Sequence, residues 1–276
     1  MVTRSSSDKH RFIGLMLSGG RSPNTAICVI DYFKGRGRLF LVESFVGKKE
    51  QKLSDLDDLL VERLKNIVDE DVENTKIITN APLSLPPCFK CKQELCPGKD
   101  KCKDTETLEI MKIYEELKGK KKNLRKFSPY TQRLYDVWLR KALPEIIPQH
   151  ESAGSNLAQI TARMLYLKKV LPYFQFRESY PVADILRLLT PLGLNNTFLK
   201  SYRDLAEGKR ARTTFMRRLE NKADVFIYDS DLDAITGNVY LFESMVLAFT
   251  GVLYFLGKTE GPSDQFIVPN IDVNLL

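Results

Sequence analysis

Five cysteines occur in the chain, and four of them fall within fifteen positions as Cys88-x2-Cys91-x4-Cys96-x5-Cys102. A Cys-x2-Cys turn can present two thiolates to one ion, and four thiolates complete a tetrahedral zinc shell or the ligand set of an iron–sulfur cluster. Zinc is the first expectation and an iron–sulfur cluster the alternative, against four unrelated free thiols. Pro97-Gly98 supplies the turn between Cys96 and Cys102. Such a site would be structural, pinning a loop too small to have a core.

Two further groups could carry chemistry. The run Lys118 to Lys126, with Phe127, Tyr130 and Arg133 after it, mixes cations and aromatic rings as phosphate backbones and unstacked bases require. Lys120, Lys121, Lys122, Arg125, Lys126 and Arg133 are its candidate contacts, and a solvated linker is the plainer reading. Asp229, Asp231 and Asp233 open a long apolar segment, and Asp229 and Asp233 stand at i and i+4. Carboxylates on one helical face can hold a divalent cation for phosphodiester cleavage, or simply cap the helix and complement its dipole.

The composition fits a partner of opposite charge. The chain of 276 residues carries a formal charge of +7, with pI ≈ 9.0, which favours polyanions such as nucleic acid without requiring one. The opening MVTRSSSDKHR has no apolar h-region, and the run Leu247 to Leu256 is too short to span a bilayer. The expectation is a cytoplasmic protein with no membrane partner, where clustered cysteines serve as metal ligands rather than disulfides.

The elements that must position these groups follow from periodicity. Residues 1–11 read as a disordered tail. Phe12 to Leu17, Thr25 to Tyr32 and Leu39 to Phe45 read as an antiparallel three-stranded meander. Leu53 to Val68 has helical leucine spacing, and Lys76 to Thr79 is a buried strand able to lie parallel to the first. Helices are expected over Thr107–Leu117, Thr131–Leu143 and Leu157–Val170, then a strand over Phe174–Tyr180 and a helix from Pro181 to Leu189. Asn195–Ala206 and Thr213–Asn221 should be short helices. Asp231–Leu256 should form one long buried helix, with Gly237 and Gly251 as places of close packing or a break, and Gln265–Val268 an edge strand.

This order, with FIGLMLSGG at 12–20, IITNAPLSLPPC at 77–88, PYTQR at 129–133, LAQITARMLYLK at 157–168, ESYP at 178–181 and LDAITG at 232–237, resembles the domain of unknown function 429 family. That family is predicted to contain nucleases of ribonuclease H-like fold. The resemblance runs from residue 12 to about 257. It implies one α/β domain over 12–276, with a mixed sheet, a cysteine knuckle at 87–104 and a helical insertion at 105–170.

The departures from the family pattern bear on function. Met16 stands where the pattern has the aspartate of Gly-Ile-Asp-Leu, and Asn80 where it has that of Ile-Asp-Ala-Pro. A thioether is a poor ligand for a hard cation, and an amide a weak neutral one. Glu178, Asp229 and Asp233 would remain as a remnant acid set, with Asp231 and Glu43 near it. The first expectation is a catalytically degenerate nuclease relative that binds nucleic acid or a protein partner. An active nuclease using Mg²⁺ or Mn²⁺ with a rearranged acid set, and a scaffolding protein, are the alternatives.

Overall fold

A computed structural model describes residues 8–19, 24–47, 53–68, 71–117, 128–144, 152–270 and 275. The apolar run near the N-terminus becomes β1 (Lys9–Met16), the strand on which the rest is assembled. It pairs antiparallel with β2 (Ala26–Phe33), and β2 with β3 (Arg38–Val46). Helix α1 (Leu53–Val68) then crosses over to β4 (Thr75–Thr79), which lies parallel to β1. The crossover is the one the sequence predicts, since parallel neighbours need a long connection. β1 begins at Lys9, so residues 9–11, expected in a disordered tail, are strand, while residues 1–7 lie outside the described residues.

After β4 come α2 (Pro87–Lys90), α3 (Thr105–Leu117), α4 (Leu134–Ala142) and α5 (Ser155–Val170). Met164, Leu167 and Leu171 pack with Ile13, Leu15 and Leu64. So α5 belongs to a layer on the sheet rather than to a separate insertion. β5 (Phe176–Glu178) lies parallel to β4, and α6 (Pro181–Leu189), α7 (Phe198–Ser201) and α8 (Gly208–Ala223) follow. β6 (Val225–Phe226), α9 (Asp229–Gly237), α10 (Val239–Phe255), β7 (Thr259–Ser263) and β8 (Phe266–Pro269) complete the chain. The sheet is mixed, eight-stranded, in the order β6-β3-β2-β1-β4-β5-β8-β7.

Three expectations are corrected. The segment expected as one long helix is two helices, α9 and α10, bent by 114°. Asn238 makes the break, its side chain accepting from the Tyr240 and Leu241 amides as an N-cap. The expected edge strand is β8, which lies inside the sheet between β5 and β7. The helix expected over Asn195–Ala206 shortens to Phe198–Ser201.

The core has two layers, because residues along β1 alternate faces. Phe12 and Met16 join the layer of α10, and Ile13, Leu15 and Leu17 the layer of α1 and α5. Every residue of α10 from Leu241 to Leu253 is buried, so it is a core helix. Among the described residues no single helix is long and apolar enough to cross a membrane.

One buried acid in this core should make stability pH-dependent. Ser179 Oγ lies 2.6 Å from the Ile267 carbonyl oxygen and 2.7 and 2.8 Å from the two Asp184 oxygens. A hydroxyl has one proton, so both contacts are satisfied only if Asp184 carries a proton of its own. Burial pushes the Asp184 carboxyl up to about 8, with the Ser179 contact opposing. The native state then holds a proton that the unfolded chain releases above the ordinary carboxylate value. This contribution is fully present below about pH 4 and is lost as pH rises towards 8, with a limiting slope of about 1.4 kcal/mol per pH unit. Denaturant melts across that range should show it, and Asp184→Asn should remove most of the slope.

Candidate functional site

Ligands and substrates of α/β sheets usually lie at the carboxyl ends of parallel strands, here those of β1, β4 and β5. The parallel register pairs Leu15 with Thr79, so Met16 and Asn80 are the next residues on their strands. Their side chains serve the fold. Met16 is 5% exposed and packs in the α10 layer. The Leu17 amide donates to Asn80 Oδ1 at 2.8 Å, and Asn80 Nδ2 donates to the Leu17 carbonyl at 3.2 Å. The side-chain amide thus adds one rung to the β1–β4 ladder. An ionised aspartate could take the first bond but would set a charged oxygen against the Leu17 carbonyl.

Glu178 ends β5 and pairs with Thr79. It shares a strand face with Phe176, which packs in the α1 and α5 layer, whereas Met16 faces α10. The two residues therefore point to opposite sides of the sheet. Arg133 Nη1 and Nη2 donate to the two Glu178 oxygens at 2.8 and 2.7 Å, and the Leu83 amide donates at 2.8 Å. Asp136 takes the remaining face of the guanidinium. Burial alone would lower the Arg133 guanidinium, but Asp136 and Glu178 overcome it and hold the charge. Burial raises the Glu178 carboxyl, and Arg133 opposes that rise. The three donors around the carboxylate favour its charged form against that burial.

Arg133, expected as a phosphate contact, is 2% exposed and is committed to this ion pair. Lys120, Lys121, Lys122, Arg125 and Lys126 lie outside the described residues, as does Phe127. Tyr130 is exposed.

Two more carboxylates at this end are matched in the same way. Asp57 on α1 accepts from Arg163 of α5, whose Nη1 also donates to the Ser18 carbonyl at 2.5 Å just past β1. Glu243 accepts from Arg203 and from the Tyr202 hydroxyl at 2.9 Å. It is buried beside Ser244, whose hydroxyl donates to the Gly14 carbonyl of β1. Sequence reasoning missed Glu243, though a signal was there. It is the only charged residue in α10, and a lone charge in an apolar helix requires a partner.

Apart from Glu178, the remnant acids do not gather here. Asp229 and Asp233 are exposed and pair with Arg217 and Lys209 of α8 at 2.7 and 2.6 Å. Glu43 pairs with Arg63 at 2.6 Å. Asp231 is half-buried, and its charge reaches Cys28.

The four clustered cysteines lie beyond β4 in a segment with no apolar support. Every residue from 88 to 101 is exposed, and Cys102 is half-buried. Cys91 and Cys102 each end a short helical turn with nearly identical backbone, φ −66° and ψ 133° and 135°. Burial raises the Cys88 thiol, and Cys96, Cys102 and Cys91 add to the rise, so the four are electrostatic neighbours. Their thiols are the right donors for zinc, but among the described residues no three His, Cys, Asp or Glu side chains are arranged to hold a metal ion.

No protein-family model, characterised protein or solved structure matches the chain.

Proposed function

We propose that this chain is a ribonuclease H-like protein that binds nucleic acid without cutting it. The strand order β3-β2-β1-β4-β5, with β2 alone antiparallel to its neighbours, supports the resemblance. The observation that carries the function is the pairing of Glu178 with Arg133, Asp57 with Arg163 and Glu243 with Arg203 at the ends of the central strands. Two-metal chemistry needs anionic oxygens free to hold two cations close together. Here guanidinium groups already occupy the acids, and Met16 and Asn80 supply no charge. Mg²⁺ or Mn²⁺ would have to displace an arginine to bind.

Binding is tested by fluorescence anisotropy with labelled single- and double-stranded oligonucleotides across a salt series. We expect affinity to fall with salt and binding to persist in EDTA, since no metal ion is needed to hold the strand. Replacing Lys120, Lys121 and Lys122 with alanine should flatten the salt slope. Absence of binding to every oligonucleotide at low salt would overturn the reading.

The cysteine segment belongs to the same proposal. Cys88, Cys91, Cys96 and Cys102 would take up one zinc ion, or an iron–sulfur cluster as the alternative, and the metal would replace the core that residues 88–101 lack. Metal analysis of purified protein should find about one zinc per chain, as expected for a closed four-thiolate site. Cys91→Ser with Cys102→Ser should lose it and expose the segment to protease. Four freely titrating thiols with neither zinc nor iron would contradict this.

A further inference from the structure

Away from the strand ends, one part of the sheet is left uncovered on the α1 side by the described residues. Asp31 of β2 pairs with Phe40 of β3, and Phe40 with Phe226 of β6, so the two phenylalanines share a face. Phe33, Phe40, Phe226 and Tyr228 form a continuous series of rings, with centroids 5.6, 5.9 and 5.0 Å apart. Phe226 and Tyr228 are 49% and 62% exposed. Helix α1 packs over β1 and β2 through Leu60, Val61 and Leu64.

Cations border the rings. Arg38 pairs with Phe33 in the ladder, and Lys34 and Arg36 are exposed on the adjoining turn. Asp31 is buried against Arg11, its charge met at 2.6 Å. On the adjoining turn the Gly35 amide donates to the exposed Asp8 at 2.7 Å. Arg38 Nε lies 3.9 Å from Asp224 with both side chains largely in solvent. So loose a surface pair is readily exchanged for a phosphate. A second protein strand is a poor occupant, because β6 offers only two residues for edge pairing.

We infer that this ribbon is a docking surface for single-stranded nucleic acid, with bases stacked on Phe40, Phe226 and Tyr228 and phosphates held by Arg38, Lys34 and Arg36. The inference rests on the nucleic-acid reading above and assigns the strand form and the place. Rings with cations beside them suit any unpaired base, because every base has a π-face, and they give little sequence preference. A duplex, whose bases are already stacked, gains nothing from exposed rings.

The test compares the unmodified protein with Phe226→Ala, Tyr228→Ala and Arg38→Glu, using labelled oligothymidylate and a matched duplex. Thermal melting of each variant checks folding, and the exposure of all three side chains makes unchanged melting the expected result. The unmodified protein should prefer the single strand. Each aromatic variant should bind it about fivefold to a hundredfold more weakly, and ultraviolet crosslinks should map to the peptide around Phe226. Normal single-strand binding by all three variants would overturn the ribbon while leaving the nucleic-acid reading intact. No binding by the unmodified protein would overturn both. A dimer in light scattering that Phe226→Ala dissolves would assign the surface to a second copy and overturn the inference.

Discussion

Replacing Arg133 with methionine should destabilise the protein by about 3–5 kcal/mol, because it strips a buried carboxylate of its counter-charge. Glu178 and Arg133 are both almost wholly buried, and Asp136 would lose its partner at the same stroke. Stabilities of single domains run to roughly 5–15 kcal/mol, so the variant should melt far earlier or fail to accumulate. The control removes all three charges. Arg133→Met with Glu178→Gln and Asp136→Asn should recover much of the loss, since a buried ionic group replaced as a unit is often nearly neutral. Equal damage from the triple variant would mean that the group serves something other than its own neutralisation. Chemical denaturation of the three proteins decides this.

The second large effect lies where α10 crosses β1. A Cβ on Gly14 would fall inside the radius of the Ser244 carbonyl oxygen and within 2.7 Å of the Ala248 nitrogen. Both obstacles are backbone, so no rotamer change relieves them. Gly14→Ala should therefore cost about 3 kcal/mol or more and broaden or abolish cooperative melting. Ser244→Ala, which loses the hydrogen bond to the Gly14 carbonyl, should cost about 1 kcal/mol. A Gly14→Ala protein as stable as its parent would mean that helix and strand are farther apart than described.

The meander, α1 and β4 were legible because their apolar runs are long, cleanly periodic and bounded by polar turns. The bounds of α1 and α6 agree residue for residue with the expectation. Where reading failed, local signals were short or masked. β6 is two residues with no period to detect, and β7, Thr-Glu-Gly-Pro-Ser, has the composition of a loop. The bend at Asn238 was written as Gly237-Asn238, a helix stop followed by a cap, but the apolar run after it favoured continuity. Gly237 marks a possible break in the sequence, and Asn238 is the cap that completes it.

The site was harder to read than the fold, because charge partners are set by packing and not by spacing. Arg133 follows a lysine run and looked like one more cation for phosphate. Its partner Glu178 is 45 residues away and meets it only when α4 is laid against β5. Asp229 and Asp233 do share a helix, but they face the basic helix α8. Asn80 was visible as a departure from an acidic pattern. That its amide extends the β1–β4 ladder required the register.

If the acids at the strand ends are structural, the protein holds nucleic acid without cutting it. The most direct measurement incubates the unmodified protein with single- and double-stranded DNA and RNA in Mg²⁺ or Mn²⁺, resolving binding on native gels and cleavage on denaturing gels. We expect retarded single strands that are recovered at full length with either metal. Metal-dependent cleavage that disappears in Asp233→Ala or Glu178→Gln would contradict this and identify the protein as a working nuclease.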